Sequence, residues 1–132
     1  MARELPIFRP GFRLSFTDIV VLAAGAVGSF LVAQMELWFG LAIAFVVLHF
    51  FLFCNVFRMP RHLELAWAAL FLLLIGSTIT MQQPGWPIAF ALSLIGAVVL
   101  VLFHMRQPSY HGVGWKRVNP RLPQWWQAQD PG

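Results

Sequence analysis

Four apolar blocks, each about 20 residues long, constrain the fold of this chain more than any other feature. They occupy residues 18–35, 37–57, 63–81 and 86–106. About 20 helical residues at a rise of about 1.5 Å cross a hydrocarbon core of about 30 Å. The blocks are continuous and do not alternate in polarity, so they favour helices over the strands of a barrel. The sequence therefore predicts an all-α integral membrane protein with four antiparallel transmembrane helices.

The composition agrees with a membrane protein, since 59% of the residues are hydrophobic and 11% are charged. A soluble domain carries about 25% charged residues. No small-residue cleavage site follows the first block, so we expect an uncleaved span and not a signal peptide. The chain then divides into an N-terminal segment (1–17), a four-helix region (18–106) and an aromatic, basic, proline-rich tail (107–132). The tail has no apolar period and is not expected to build a core of its own.

The basic residues predict how the chain is threaded through the membrane. Of the nine Lys and Arg residues, three precede the first block, two lie between the second and third, and four lie at or after the last residue of the fourth. The turns around Glu36 and Gln83 contain neither residue type. The positive-inside rule then places both termini and the middle turn in the cytoplasm, and we expect a bacterial cytoplasmic (inner) membrane. Orientation signals and lipid phosphates explain the net charge of +4, so no nucleic-acid partner is expected.

Tryptophan and arginine residues at the block ends and in the tail are typical of membrane-interface anchors. The predicted anchors are Trp38, Arg58, Arg61, Trp86, Arg106, Trp115, Trp125 and Trp126. Such residues place their polar groups among lipid headgroups while their apolar parts remain in the hydrocarbon. Membrane lipids are therefore the first expected partners.

Small residues recur at helical spacing in two of the blocks. They are Ala24, Gly25, Gly28 and Ser29 in the first block and Ala89, Ser93 and Ala97 in the fourth. Small side chains let two helices approach closely, which drives association in lipid. These positions predict helix packing, either against this chain's own helices or against another membrane subunit. Asn55 is expected to join the second helix to a neighbour by hydrogen bonds.

His49 is the most deeply placed ionisable residue, about eight residues or roughly 12 Å from the end of its block. One interpretation is a neutral histidine bonded to a backbone carbonyl or to a hydroxyl such as that of Ser77, Thr78 or Ser93. The alternative is an axial ligand for a haem or a chlorophyll-type pigment, or a group that transfers protons. His104 lies roughly 9 Å nearer the boundary, which disfavours a haem shared by the two histidines. We expect no cofactor.

The remaining polar residues match no known chemical motif. Cys54 has no second cysteine with which to form an intrachain disulfide. His62, Glu64, His104 and His111 do not have the spacing of a metal site, so no metal is expected. No mid-membrane carboxylate, phosphate-binding loop or catalytic pair is present.

These observations predict a small non-catalytic membrane protein that acts as an accessory or scaffolding subunit of a larger membrane complex. Its partners would be other integral membrane subunits or further copies of the chain. One alternative is an electron- or energy-transfer module with a haem or pigment bound at His49. Another alternative is a small transporter or channel. It would be oligomeric, because four helices of this kind enclose little water.

Overall fold

The computed structural model describes residues 8–129, and within this range the regular structure is entirely helical, without strands. The helices are α1 (Phe16–Met35), α2 (Leu37–Phe51), α3 (Arg61–Met81), α4 (Trp86–Met105), α5 (Trp115–Val118) and α6 (Leu122–Ala128), and a π-helical turn (Leu52–Val56) extends α2. Four of them are long and apolar enough to cross a membrane, counting α2 with its π-helical extension. This confirms the predicted all-helical class with four candidate spans. Arg3 and the outer ends of the predicted N-terminal segment and tail lie outside the described residues.

The helix boundaries differ from the predicted blocks by at most two residues, and local capping explains the earlier starts. Ser15 is the N-cap of α1: its Oγ accepts a hydrogen bond from the Asp18 N–H, and the Asp18 carboxylate accepts one from the Ser15 N–H at 2.8 Å. This reciprocal pair is a capping box, so α1 begins at Phe16. α3 begins directly after Pro60, which cannot donate a backbone hydrogen bond to a preceding turn.

α2 is the central helix of the bundle. Its most extensive contact is with α1, to which it is joined by a single residue, Glu36. On its other side its aromatic rings meet α3 and α4: Phe45 lies 5.6 Å from Phe71 and 4.9 Å from Phe90, measured between ring centroids. None of the residues of α1 is buried. α1 therefore forms one edge of the bundle and leaves most of its surface open.

Trp67 of α3 is the centre of the core and is fully buried. Its ring is surrounded by aromatic side chains from α2 and α3, namely Phe45, His49, Phe50, Phe53 and Phe71. Its indole Nε1 donates a hydrogen bond to the Ser93 carbonyl oxygen at 2.9 Å. This bond joins α3 to α4, and the buried small residues of α4 allow the close approach that it requires.

Candidate functional site

The end of α2 has an unusual backbone that positions an arginine. The Phe57 N–H donates to the Leu52 carbonyl at 2.8 Å, and the Met59 N–H donates to the Phe53 carbonyl at 2.7 Å. The second bond joins residues that are one position farther apart than those joined by the 6→1 bond of a Schellman motif, whose left-handed residue is usually glycine. Here that residue is Arg58, with φ of 52°. A left-handed conformation costs a non-glycine residue roughly 1–2 kcal/mol, so other contacts must stabilise Arg58.

Those contacts come from the N-terminal segment. Arg58 Nη1 donates to the carbonyl oxygens of Arg9 at 3.0 Å and Gly11 at 3.2 Å. Burial and the nearby charge of Arg13 lower the pKa of Arg58 from its ordinary value. Hydrogen bonds from a guanidinium to carbonyls supply no negative charge, so these partners leave its positive charge without a counter-charge.

Backbone hydrogen bonds join three segments that are distant in sequence. The Gly11 N–H donates to the His111 carbonyl at 2.6 Å, and the Arg13 N–H donates to the Asn55 carbonyl at 3.0 Å. The Val113 N–H donates to the Val56 carbonyl at 2.7 Å. We refer to these segments, residues 8–15, 52–60 and 106–129, as the cap. The cap closes one end of the helical bundle.

The C-terminal part of the cap contains buried side chains. Tyr110 and Leu122 are fully buried, although the tail has no apolar period. Phe8 of the N-terminal segment contacts the rings of Trp115 and Trp126, with centroid distances of 6.0 Å and 5.2 Å. The tail therefore buries side chains by packing its aromatic residues against the N-terminal segment, and the expectation that it builds no core of its own stays a prediction.

A cavity of about 400 Å³ opens in the cap. Three arginines line it, Arg13, Arg58 and Arg61, and Glu64 is the one carboxylate among its described lining residues. The Glu64 carboxylate is buried, lies 3.8 Å from Arg61 Nε and accepts a hydrogen bond from Cys54 Sγ at 2.9 Å. With three guanidinium groups against one carboxylate, the cavity is positively charged. We call it the basic cavity.

Two histidines also line the basic cavity. His104 is 2% exposed, and its Nε2 has no hydrogen-bond partner within residues 8–129. His111 Nδ1 lies 2.9 Å from the Ser109 carbonyl, to which it donates because a carbonyl can only accept. Burial, together with the charges of Arg58 and Arg13, lowers the pKa of His111. His111 therefore adds little positive charge at neutral pH, and the arginines dominate.

An apolar groove of about 320 Å³ lies between α1 and α2. Cys54 lines both the groove and the basic cavity, so the two are adjacent. Asn55 also lines the groove and is 1% exposed, and its side chain lies beside the Asp18 carboxylate of α1. The hydrogen bond expected from this side chain to a neighbouring helix stays a prediction.

His49 lies in the aromatic core and away from the cap. Its ring stacks on Trp67 with a centroid distance of 4.7 Å, and its Nδ1 lies 2.7 Å from the Phe45 carbonyl oxygen. The carbonyl can only accept, so the proton is on Nδ1. The backbone-carbonyl partner was one of the interpretations of the sequence. Cofactor binding by His49 stays a prediction.

The small residues divide into two groups by their surroundings. Gly25 faces Val47 of α2, and Ser29 Oγ donates to the Gly40 carbonyl at 2.6 Å. Ala89, Ser93 and Ala97 of α4 are buried in the core of the chain. Ala24 is exposed, and a Cβ added at Gly28 would have no described atom of a neighbouring element within 4 Å. One face of α1 thus packs internally, whereas Ala24 and Gly28 face outward.

The predicted anchors lie at both ends of the bundle. Trp38 and Trp86 stack on each other with a ring-centroid distance of 5.9 Å. They lie at the starts of α2 and α4, the ends of these helices away from the cap. Arg61 and Arg106 are exposed, whereas Arg58, Trp115, Trp125 and Trp126 are partly buried in the cap. The sequence did not predict the basic cavity, because its residues come from three distant segments. The glycine at position 112 was one available signal that the tail passes close to another backbone. A Cβ at Gly112 would lie 2.5 Å from the Phe57 carbonyl oxygen.

No group of three or more His, Cys, Asp or Glu side chains within the described part of the chain is arranged to hold a metal ion. Comparison of the chain with protein-family models, with characterised proteins and with solved structures finds no match. Its function must therefore be argued from the residues themselves.

Proposed function

We propose that this membrane protein is a non-catalytic accessory or scaffolding subunit of a larger membrane complex. Its partner, another integral membrane subunit or a second copy of the chain, packs against the outward face of α1. The observation that carries the proposal is that face itself. α1 has no buried residue, and its one extensive helix contact among the described elements is with α2.

Gly28 gives this face its specificity. Glycine inside a helix is less favourable than alanine by about 0.5–1 kcal/mol, so a helical glycine usually has a packing reason. Gly25 has one, since it lies against Val47. Gly28 has open space beside it, as Gly76 of α3 also has, but the residue one turn before Gly28 is the small Ala24, whereas the residue one turn before Gly76 is Leu72. A small-residue face of this kind lets a second helix approach closely in lipid.

The proposal includes an antiparallel arrangement with both termini in the cytoplasm of a bacterial cell. Support comes from the cap, in which hydrogen bonds join the N-terminal segment, the α2–α3 loop and the tail. The described basic residues lie in these three segments, apart from Arg61, which is the first residue of α3 beside the loop, as the positive-inside rule requires of one membrane side.

Reporter fusions test this orientation. A reporter that is active only outside the cytoplasm is expected to be inactive after residue 132 and active when inserted at Gln83. A fusion at Gln83 with the activity of the one after residue 132 would contradict the arrangement.

The partner face is tested by a matched pair of glycine substitutions. Gly28→Leu is expected to abolish co-purification of the partner from the native membrane, because the side chain fills the space that the second helix needs. Gly76→Leu on α3 is the control, since Gly76 has equally open surroundings, and it is expected to retain the partner. Affinity purification in a mild detergent, followed by mass spectrometry of the bound subunits, measures both.

Loss of the partner in both variants, or in neither, would contradict a site on α1. The visible absorption spectrum of the same native-source preparation tests the alternative at His49. A chromophore that disappears in His49→Ala would favour a cofactor-binding module.

A further inference from the structure

We propose that the basic cavity and the apolar groove together bind one anionic phospholipid. Its phosphate lies among the arginines of the cavity, and one acyl chain lies in the groove between α1 and α2. The α1 residues of this site lie nearer the cap than Ala24 and Gly28 do. The proposal rests on the cytoplasmic orientation given above but not on the accessory role.

The charge of the cavity indicates an anionic ligand. Arg13, Arg58 and Arg61 line it, and the one acidic lining group, Glu64, already interacts with Arg61 and with the Cys54 thiol. Arg58 is held by neutral carbonyl groups in a conformation that arginine rarely adopts. Positive charges at close range repel one another, so a bound phosphate stabilises the arrangement.

A buried polar atom without a partner indicates where the ligand completes the site. Nε2 of His104 makes no hydrogen bond within residues 8–129 although the side chain is 2% exposed. Buried polar groups nearly always have partners, and leaving one unpaired costs about 1–3 kcal/mol. The His104 ring lies beside the backbone of Arg58 and Phe57 and lines the basic cavity, so a turn of the ring would bring Nε2 to an oxygen of a bound headgroup.

The adjoining groove indicates that the ligand has an apolar part. Most of its lining side chains are aliphatic or aromatic, including Val21, Leu22 and Phe50. Its polar members lie toward the cap: Asp18, whose carboxylate is bonded to Ser15, and Asn55, whose side chain lies beside that carboxylate. A phospholipid has this order of groups, with a phosphate, then a polar ester region, then an acyl chain.

A free phosphate ion satisfies the cavity but not the groove. The basic segments of the cap are also those that the positive-inside rule assigns to the cytoplasmic face, where anionic lipids attract arginine. Basic pockets between membrane helices on that face are recognised sites for lipid headgroups. The lipid is therefore the ligand to which the combined site is assigned.

The test uses the full chain in mild detergent, titrated with phosphatidylglycerol or with phosphatidylcholine of the same acyl chains, and bound lipid counted by native mass spectrometry. Phosphatidylglycerol is expected to bind with a stoichiometry of one and at least about tenfold more tightly. Arg13→Gln is expected to weaken it by about fivefold, which corresponds to about 1 kcal/mol for one basic residue. Arg106→Gln, outside the basic cavity, is the control and is expected to leave the affinity unchanged.

Arg58 requires a variant that keeps the backbone. Arg58→Gly removes the guanidinium while relieving the left-handed strain, so it is expected to fold and to bind phosphatidylglycerol about fivefold more weakly. Val21→Phe fills the groove and is expected to weaken binding, whereas Val20→Phe, at an exposed position outside the groove, is not.

Three results would overturn the proposal. The first is equal affinity for the two lipids. The second is an unchanged phosphatidylglycerol affinity in both arginine variants. The third is saturation of the site by inorganic phosphate alone at the affinity of the lipid, with Val21→Phe without effect, which would assign the cavity to a free anion.

Discussion

Replacement of Trp67 by alanine is expected to lower the free energy of unfolding by about 3 kcal/mol or more, the range found for large aromatic residues in protein cores. Trp67 is fully buried and contacts five aromatic side chains of α2, its π-helical extension and α3. Its Nε1 hydrogen bond to the Ser93 carbonyl also joins α3 to α4. In lipid, such packing and hydrogen bonds hold helices together, because burial of apolar surface adds little. Unfolding in detergent with increasing dodecyl sulfate measures the change.

Two further variants separate the causes of this loss. Trp67→Phe keeps most of the ring contacts and removes the bond to Ser93, so it is expected to cost about 1 kcal/mol from that bond plus a smaller packing loss. Leu72→Ala is the control, since this α3 residue is 68% exposed, and it is expected to change the stability little. Equal stability of Trp67→Ala and Leu72→Ala would contradict the assignment of the core to Trp67.

Replacement of Gly40 by valine is the second change with a large expected effect. Gly40 is buried, and a Cβ there would overlap Ala33 of α1, including the backbone of that residue. Backbone atoms cannot rotate away, so α1 and α2 must separate near their connection. The bond from Ser29 Oγ to the Gly40 carbonyl would be lost with this separation. We expect a cost of about 3 kcal/mol, the upper end for overpacked sites, measured by the same unfolding assay.

Gly76→Val is the matched control for this prediction. Gly76 is also in a membrane-spanning helix, but an added Cβ would meet no described atom of another element within 4 Å. The intrinsic helix preference changes in the same way in both variants, so their difference isolates the contact with α1. A Gly40→Val protein as stable as Gly76→Val would show that the close approach of α1 and α2 does not occur.

The four spans could be predicted from the sequence because the bilayer imposes one dominant requirement. Each crossing needs about 20 apolar residues with every backbone group bonded internally, and that pattern is continuous and local in sequence. The small residues of α4 were also informative, since Ala89, Ser93 and Ala97 predicted close packing and are buried. The spacing of small residues does not show which helix packs against them. α1 and α4 have similar spacing, but the small residues of α4 are buried whereas α1 has no buried residue.

The cap and the basic cavity could not be predicted, because they depend on pairings between distant segments. From the sequence, Arg58 was predicted to be an interfacial anchor. In the structure it has a left-handed backbone, bonds to the carbonyls of Arg9 and Gly11, and lines the basic cavity. Neither the hydrogen bond from the Met59 N–H to the Phe53 carbonyl nor the π-helical turn has a sequence signature here. Cys54 and Glu64 are ten residues apart on different helices, and their contact depends on the same turn.

The accessory-subunit account is tested most directly by the mass of the particle extracted from the native membrane. The tagged chain, expressed at its natural level and solubilised in a mild detergent, is measured by light scattering with the detergent contribution subtracted. We predict a protein mass above that of one chain, with at least one further integral membrane subunit or second copy, and a return to the single-chain mass in Gly28→Leu. An unmutated chain that runs as a lone monomer would contradict the account.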